Sequence, residues 1–215
     1  MTRSFPSALK EKFSVFERLT SPAKIQDFLD ALRMNFEESH RTCRSPLFVL
    51  KHKEAHCMEG AMLAAAALWY HGEPPLVLDL RTVPKDDDHV VTLFRSGGRW
   101  GAISKTNHAV LRYRDAVYRD PRELAMSYFN EYFLDDGKKT LRSHSAPFDL
   151  RRYGSDWLVA RANLWNIPYD LDCTKHFAIL GPRGVRDLRP ADRIEIEAGK
   201  IVEWKRPRRR SGRAK

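Results

Sequence analysis

Apolar residues along the chain fall first into helical spacing and then into strand spacing. Ile25, Phe28, Leu29 and Leu32 recur at i, i+3, i+4 and i+7. Ser21 stands before them as a cap and Pro22 takes the first helical position, which predicts an amphipathic helix with that face on the core. Residues 34 to 55 have no clear period; Ser45-Pro46 marks a boundary, and Leu47 to Leu50 is a short apolar segment. Met58 to Tyr70 is almost wholly apolar, with Glu59 its only charge. Such a stretch predicts a helix buried on all sides, closed by Gly72. After the turn at Pro74-Pro75, Leu76 to Leu80 reads as a short strand. His89 to Phe94, rich in β-branched residues, reads as a second, and Arg99 to Thr106 as its return around Ser96-Gly97-Gly98. A two-residue Gly97-Gly98 loop would pair Ser96 with Arg99, Thr92 with Ile103 and His89 with Thr106. Ser104 then becomes the diagonal neighbour of His89, while Lys105 and Asn107 point to the other face.

The C-terminal half continues the mixed pattern. Asp120-Pro121-Arg122-Glu123 is a capped helix start, and Leu124, Tyr128 and Tyr132 repeat every four residues, predicting a helix to about Phe133. Ser155 caps a second aromatic helix expected from Asp156 to about Trp165 and limited by Pro168. Between Asp192 and Trp204, Ile194, Ile196 and Ile201 alternate around Ala198-Gly199, which reads as a small hairpin. The fold class expected from these elements is α+β.

Candidate chemistry centres on Cys57. It follows His56 and opens the apolar helix, where unpaired amide groups and the positive end of the dipole lower a thiol pKa and favour the thiolate. A lone cysteine in an apolar helix is commonly just a buried hydrophobe. His89, opening a strand downstream, supplies the base that such a thiol would need.

The order Cys, His, then a polar residue on the next strand resembles the transglutaminase-like branch of the papain-like fold. The resemblance rests on His56-Cys57-Met58-Glu59-Gly60-Ala61 through Gly72, on His89-Val90-Val91, and on Trp100-Gly101-Ala102-Ile103-Ser104-Lys105-Thr106, within residues 45 to 135. It implies a central helix that begins at the cysteine and packs on an antiparallel sheet, with flanking helices. It also implies Cys57 as nucleophile, His89 as base and acyl transfer as the chemistry. Hydrolysis of an amide or peptide is favoured over cross-linking, because dedicated transglutaminases carry calcium sites and further domains. No cofactor is expected, and a peptide or amide-containing substrate is.

At the place where this family carries Asp, the chain has Ser104. A hydroxyl orients an imidazole weakly and hardly stabilises its cation. Asn107 is an alternative third member, in a papain-like Cys-His-Asn order. Asp86, Asp87 and Asp88 could orient His89 from their own loop. Ser104 also leaves open a degenerate module that keeps the fold and uses its cleft only for binding.

Composition narrows the remaining classes. With 215 residues and 42% apolar content, the chain can bury one sizeable core, so a single domain over residues 1–204 is expected. No stretch reaches membrane-spanning length, and Met-Thr-Arg-Ser-Phe-Pro lacks the apolar core of a secretion signal. Three cysteines at unrelated spacings give no disulfide framework and suit a reducing cytoplasm. His52 and His56 stand four apart but find no further ligands at zinc spacing, so no metal is expected. Lys205 to Lys215 hold seven of the positive charges and no acid, so the net charge of +10 becomes +3 without them. This segment reads as a disordered basic tail, able at most to touch nucleic acid weakly. No nucleic-acid-binding motif accompanies it.

Overall fold

A computed structural model describes residues 4–37 and 40–203; the expected basic tail lies outside the described residues. The fold is α+β. Its centre is α3 (Cys57–Tyr70), whose residues Met58 to Trp69 are all buried, packed against a seven-stranded sheet in which every pairing is antiparallel. The sheet order is β6 (Arg114–Tyr118), β5 (Arg99–Ile103), β4 (His89–Ser96), β3 (Leu76–Arg81), β7 (Ser143–Ser145), β9 (His176–Ala178). The short β8 (Phe148–Asp149) also pairs with β3. Elsewhere β1 (Arg33–Met34) and β2 (Glu54–Ala55) form a small parallel pair that precedes α3.

Around α3 stand α1 (Pro22–Ala31) and α2 (Pro46–His52). The Ser21 hydroxyl caps α1 by accepting from the Lys24 N–H, and Ile25 and Leu29 are buried as the period requires. The same face buries Gln26, a polar residue the period does not single out. One face of the sheet meets α3, with Trp69 and Trp157 stacked at 6.2 Å behind it. The other face carries Leu78, Leu80, Val91 and Leu93 against Leu124, Tyr128 and Tyr132. The Thr92 hydroxyl donates to the Ala61 carbonyl at 2.7 Å and so fastens β4 to the helix at one polar point.

The hairpin register is as the Gly97-Gly98 loop predicts: Ser96 pairs with Arg99 and Thr92 with Ile103. Both glycines have positive φ, 55° and 77°, as a type I′ turn needs. The ladder stops at Ile103, short of the expected Thr106. There the Gln26 amide takes over the strand's role, donating to the Ser104 carbonyl at 2.8 Å and accepting from the Ser104 N–H at 2.9 Å.

Three expected elements differ. The helix from Pro121 ends at Met126 (α4), and Phe129–Glu131 forms a separate 3-10 turn, although Tyr128 and Tyr132 stay buried as the apolar spacing requires. The helix expected over 156–165 is a 3-10 turn, Asp156–Leu158. The helix proper is α5 (Asn166–Asp172). Pro168 falls in its first turn, where a missing N–H costs no intrahelical bond, so the proline starts a helix rather than limiting one. The hairpin expected at the C-terminal end is instead a helix, α7 (Arg193–Gly199), after the short α6 (Pro182–Arg186). Asp192 accepts from the Ile194 and Glu195 N–H groups while Glu195 accepts from the Asp192 N–H. That reciprocal cap overrides the alternation of Ile194 and Ile196.

Candidate active site

Cys57 is the first residue of α3, with extended His56 as the cap. Cys57 is half-buried and lines a cleft of about 690 Å³ together with His89, Asn107 and Tyr132. Burial alone would raise the thiol. Hydrogen bonds from His56 and His89, with the positive charge of both rings, reverse this and bring it from 9.0 down to about 5. The other cysteines behave differently. Cys43 is buried, pushed up to about 12 by burial and then by Glu59, and Cys173 is exposed.

Two imidazoles therefore meet one sulfur, each with a different backing. His56 Nε2 lies 2.9 Å from the Thr42 carbonyl and therefore donates to it, which leaves Nδ1 for the thiol. Carboxylate oxygens of Glu59 and Glu37 stand 3.6 and 3.8 Å from Nε2. Burial would depress this ring, but the hydrogen bond and charge of Cys57, then the charge of Glu59, raise it from 6.5 to about 9. Glu59 itself is fully buried and accepts from Asn35 Nδ2 at 3.1 Å, the Thr42 hydroxyl at 2.7 Å and the Arg44 N–H at 2.9 Å. A buried carboxylate needs such a set of donors.

His89 opens β4 and is 6% exposed. Its Nε2 lies 2.8 Å from Ser104 Oγ, so the diagonal contact expected from the register is present. Ser104 Oγ also lies 2.6 Å from the Leu111 carbonyl. A carbonyl only accepts, so the single hydroxyl proton goes to Leu111 and Ser104 must accept from His89 Nε2–H. Nδ1 is the nitrogen left facing Cys57.

The other sequence candidates are close by but not bonded to the ring. Asn107 lines the cleft, and its carbonyl accepts from the Glu203 N–H; no hydrogen bond joins it to His89 among the described residues. Asp88 Oδ1 accepts from the Thr82 N–H and hydroxyl, at 2.7 and 3.0 Å. Asp86 accepts from the Thr140 hydroxyl, and Asp87 is exposed. This loop lines the cleft mouth rather than orienting His89. His52 ends α2, stacked at 6.3 Å on Phe48, whereas His56 caps α3, so the two do not share a helix face. A tight acidic group, Asp79, Asp88 and Asp172, already holds cations: Arg81 bridges Asp79 and Asp172, and His176 Nε2 lies 3.0 Å from Asp79.

Two functional features escape the sequence pattern. Tyr132, 3% exposed, lines the cleft, and its buried hydroxyl has no partner among the described residues. Burial, followed by the negative charge of Cys57, pushes it well above its usual range, so it remains a donor. Lys105, 1% exposed, donates its ammonium to the Leu29 and Leu32 carbonyls at 2.9 and 2.6 Å and locks the residue after Ser104 to the end of α1. A buried lysine so placed has no sequence signal beyond its position.

No protein-family model matches the chain, and no curated protein does. Among solved structures it is similar to Legionella pneumophila LapG (EGTA-treated) at 12% identity, over 73% of this chain and 91% of that one, with a TM-score of 0.42. Among the described residues no helix is long and apolar enough to cross a membrane.

Proposed function

We propose that the protein is a cysteine-dependent acyl-transfer enzyme of transglutaminase-like type, hydrolysing an amide or peptide bond, with Cys57 as nucleophile and His89 as acid and base. The observation that carries this reading is a thiol at a helix start, flanked by two imidazoles and brought down to about 5. Perturbation of that size, in a cleft, is what thiol catalysis requires.

In the reaction, the Cys57 thiolate, whose proton rests on His89 Nδ1, attacks the substrate carbonyl and forms a C–S bond. The developing oxyanion is met by the Cys57 backbone N–H and by the unpartnered Tyr132 hydroxyl. Collapse breaks the C–N bond as His89 passes its proton to the leaving amine. Water then attacks the thioester, gives its proton back to His89 and releases the acid and the thiolate. His56, raised to about 9 by the hydrogen bond and charge of Cys57 and then by Glu59, stays cationic beside the thiolate through neutral pH and balances its charge.

The neutral hydroxyl of Ser104 supports a second reading, a non-catalytic module that binds through the same cleft. Reaction with an electrophilic amide or ester probe separates the two. Stoichiometric labelling that is lost in Cys57→Ala and turns over with water supports the enzyme. A reactive thiol that never releases product, against a broad panel of peptide and amide substrates, favours the binding module.

A further inference from the structure

We propose that Glu131 is a positioning residue for His89, acting at one remove through Leu111 and Ser104; this inference rests on the acyl-transfer reading of the same site. Leu111 has a φ of 60°, a left-handed conformation in a residue with a branched side chain. Such a residue is strained and persists only where its surroundings hold it. What holds it is Glu131, whose Oε2 accepts from the Leu111 N–H at 2.7 Å. The other carboxylate oxygen pairs with Arg114. Arg114 is in turn fixed by a bond from Nε to the Ser127 hydroxyl at 3.0 Å, and its guanidinium lies 4.1 Å from the centre of the Tyr128 ring.

The consequence runs through Leu111. With its N–H anchored, its carbonyl points back at Ser104 Oγ, at 2.6 Å, and takes that hydroxyl's only proton. Ser104 can then only accept from His89, which fixes the Nε2–H tautomer at 2.8 Å and turns Nδ1 toward Cys57. The Gln26 amide pins the Ser104 backbone from the opposite side, so the hydroxyl has one orientation. A carboxylate thus takes part in orienting the imidazole without touching it. Glu131 belongs to the 3-10 turn after α4, far along the chain from both residues it serves.

The test reads orientation and reactivity separately. In the wild-type protein, at a pH high enough for the His89 ring to be neutral, nitrogen-15 NMR should show the Nε2–H form; the Nδ1–H form there would overturn the inference whatever the thiol does. Glu131→Ala should lower the rate of Cys57 alkylation at mildly acid pH by about three- to tenfold, the scale of one hydrogen bond, and move the inflection of its pH profile upward. Glu131→Gln keeps an acceptor for the Leu111 N–H and should recover most of that loss. Ser104→Ala should cause a similar drop, and adding Glu131→Ala to it should cost nothing more. A full additional loss in the double variant, or an unchanged profile in a folded Glu131→Ala protein, would refute the coupling. If instead the wild-type thiol titrates near 9.0, the acyl-transfer reading falls, while the NMR result still decides the role of Glu131.

Discussion

The pH dependence of Cys57 reactivity gives the sharpest check on the site. A thiol titrating at 9.0 is ionised in only roughly three molecules in ten thousand at about pH 5.5, whereas one at about 5 is ionised in roughly three quarters. The gain in thiolate is therefore about 2,000-fold at that pH. A thiolate of lower basicity is also a weaker nucleophile, and a Brønsted slope of about 0.45 takes back about 60-fold. The net expectation is labelling about 40-fold faster than an ordinary thiol at about pH 5.5, but no faster at about pH 7.5. The signature is thus a rate that holds to low pH rather than a high rate at neutrality. The assay is the second-order rate of reaction with a neutral disulfide reagent from pH 4 to 10, in a Cys173→Ser background because Cys173 is exposed. His56→Gln removes one charge-assisted hydrogen bond, worth about 1.5–3 kcal/mol, and should slow labelling at about pH 4.5 by about three- to twelvefold. A single inflection near 9.0 in the wild-type protein, or a His56→Gln profile identical to wild type, would refute the reasoning.

Three further outcomes are expected. Ser104→Asp supplies a carboxylate but has no proton for the Leu111 carbonyl, which lies 2.6 Å from the present hydroxyl. Labelling at mildly acid pH should fall toward the Ser104→Ala rate, and a rise above wild type would show that charge at this position is what the site lacks. Gly60→Ala would drive a Cβ into Lys105 Cβ and to 3.0 Å from its Cγ, at the rooted end of that side chain. It should destabilise the protein by about 1–3 kcal/mol in denaturant unfolding, and an unchanged midpoint would contradict the close packing of α3 on residue 105. Because Asp86, Asp87, Asp88 and Asp135 line the cleft, a cationic electrophile should label Cys57 faster than an anionic one of equal size, with the difference shrinking in high salt; equal rates at low salt would show that these carboxylates do not act on the approaching reagent.

How far the sequence carries depends on whether a feature is local. The hairpin register follows from Gly97-Gly98 and carries His89 and Ser104 to one face, so the contact at 2.8 Å was legible in the order of residues alone. The start of α3 at Cys57 was legible for the same reason, since an apolar run with a terminal break marks itself. Leu111 and Glu131 were not. Their roles depend on a left-handed backbone residue in a loop and on a carboxylate that reaches it from the far side of α4, and neither leaves a periodic trace. Gln26 was hidden by its own helix, whose apolar spacing explains burial of that face without asking what a buried amide there would bond. At the C-terminal end, a two-residue alternation is too short to outweigh a capping box. Asp192 with Glu195 was the stronger signal and decided for helix.

The absence of an acid at position 104 bears on activity only if one group must do both jobs that a carboxylate does for a catalytic imidazole. In the proposed mechanism the jobs are divided. Orientation requires an acceptor at fixed direction, and Ser104 supplies one because its proton is committed to Leu111. Charge compensation requires a cation beside the sulfur at neutral pH, and in the proposed mechanism His56 supplies it, raised by the hydrogen bond and charge of Cys57 itself and then by the buried, fully bonded Glu59. On this reading the carboxylate backs the histidine proposed to hold the charge, not the one proposed to transfer the proton. His89 is then oriented by a neutral acceptor, while the thiolate has a second imidazole beside it. This arrangement predicts that the two histidines fail differently. His56→Gln should mainly shift the pH profile of Cys57 labelling, whereas His89→Gln should also abolish turnover of any amide substrate at every pH, because the leaving amine then has no proton donor. Equal losses of turnover in the two variants, measured at a pH where both thiols are ionised, would show that the roles are not divided in this way.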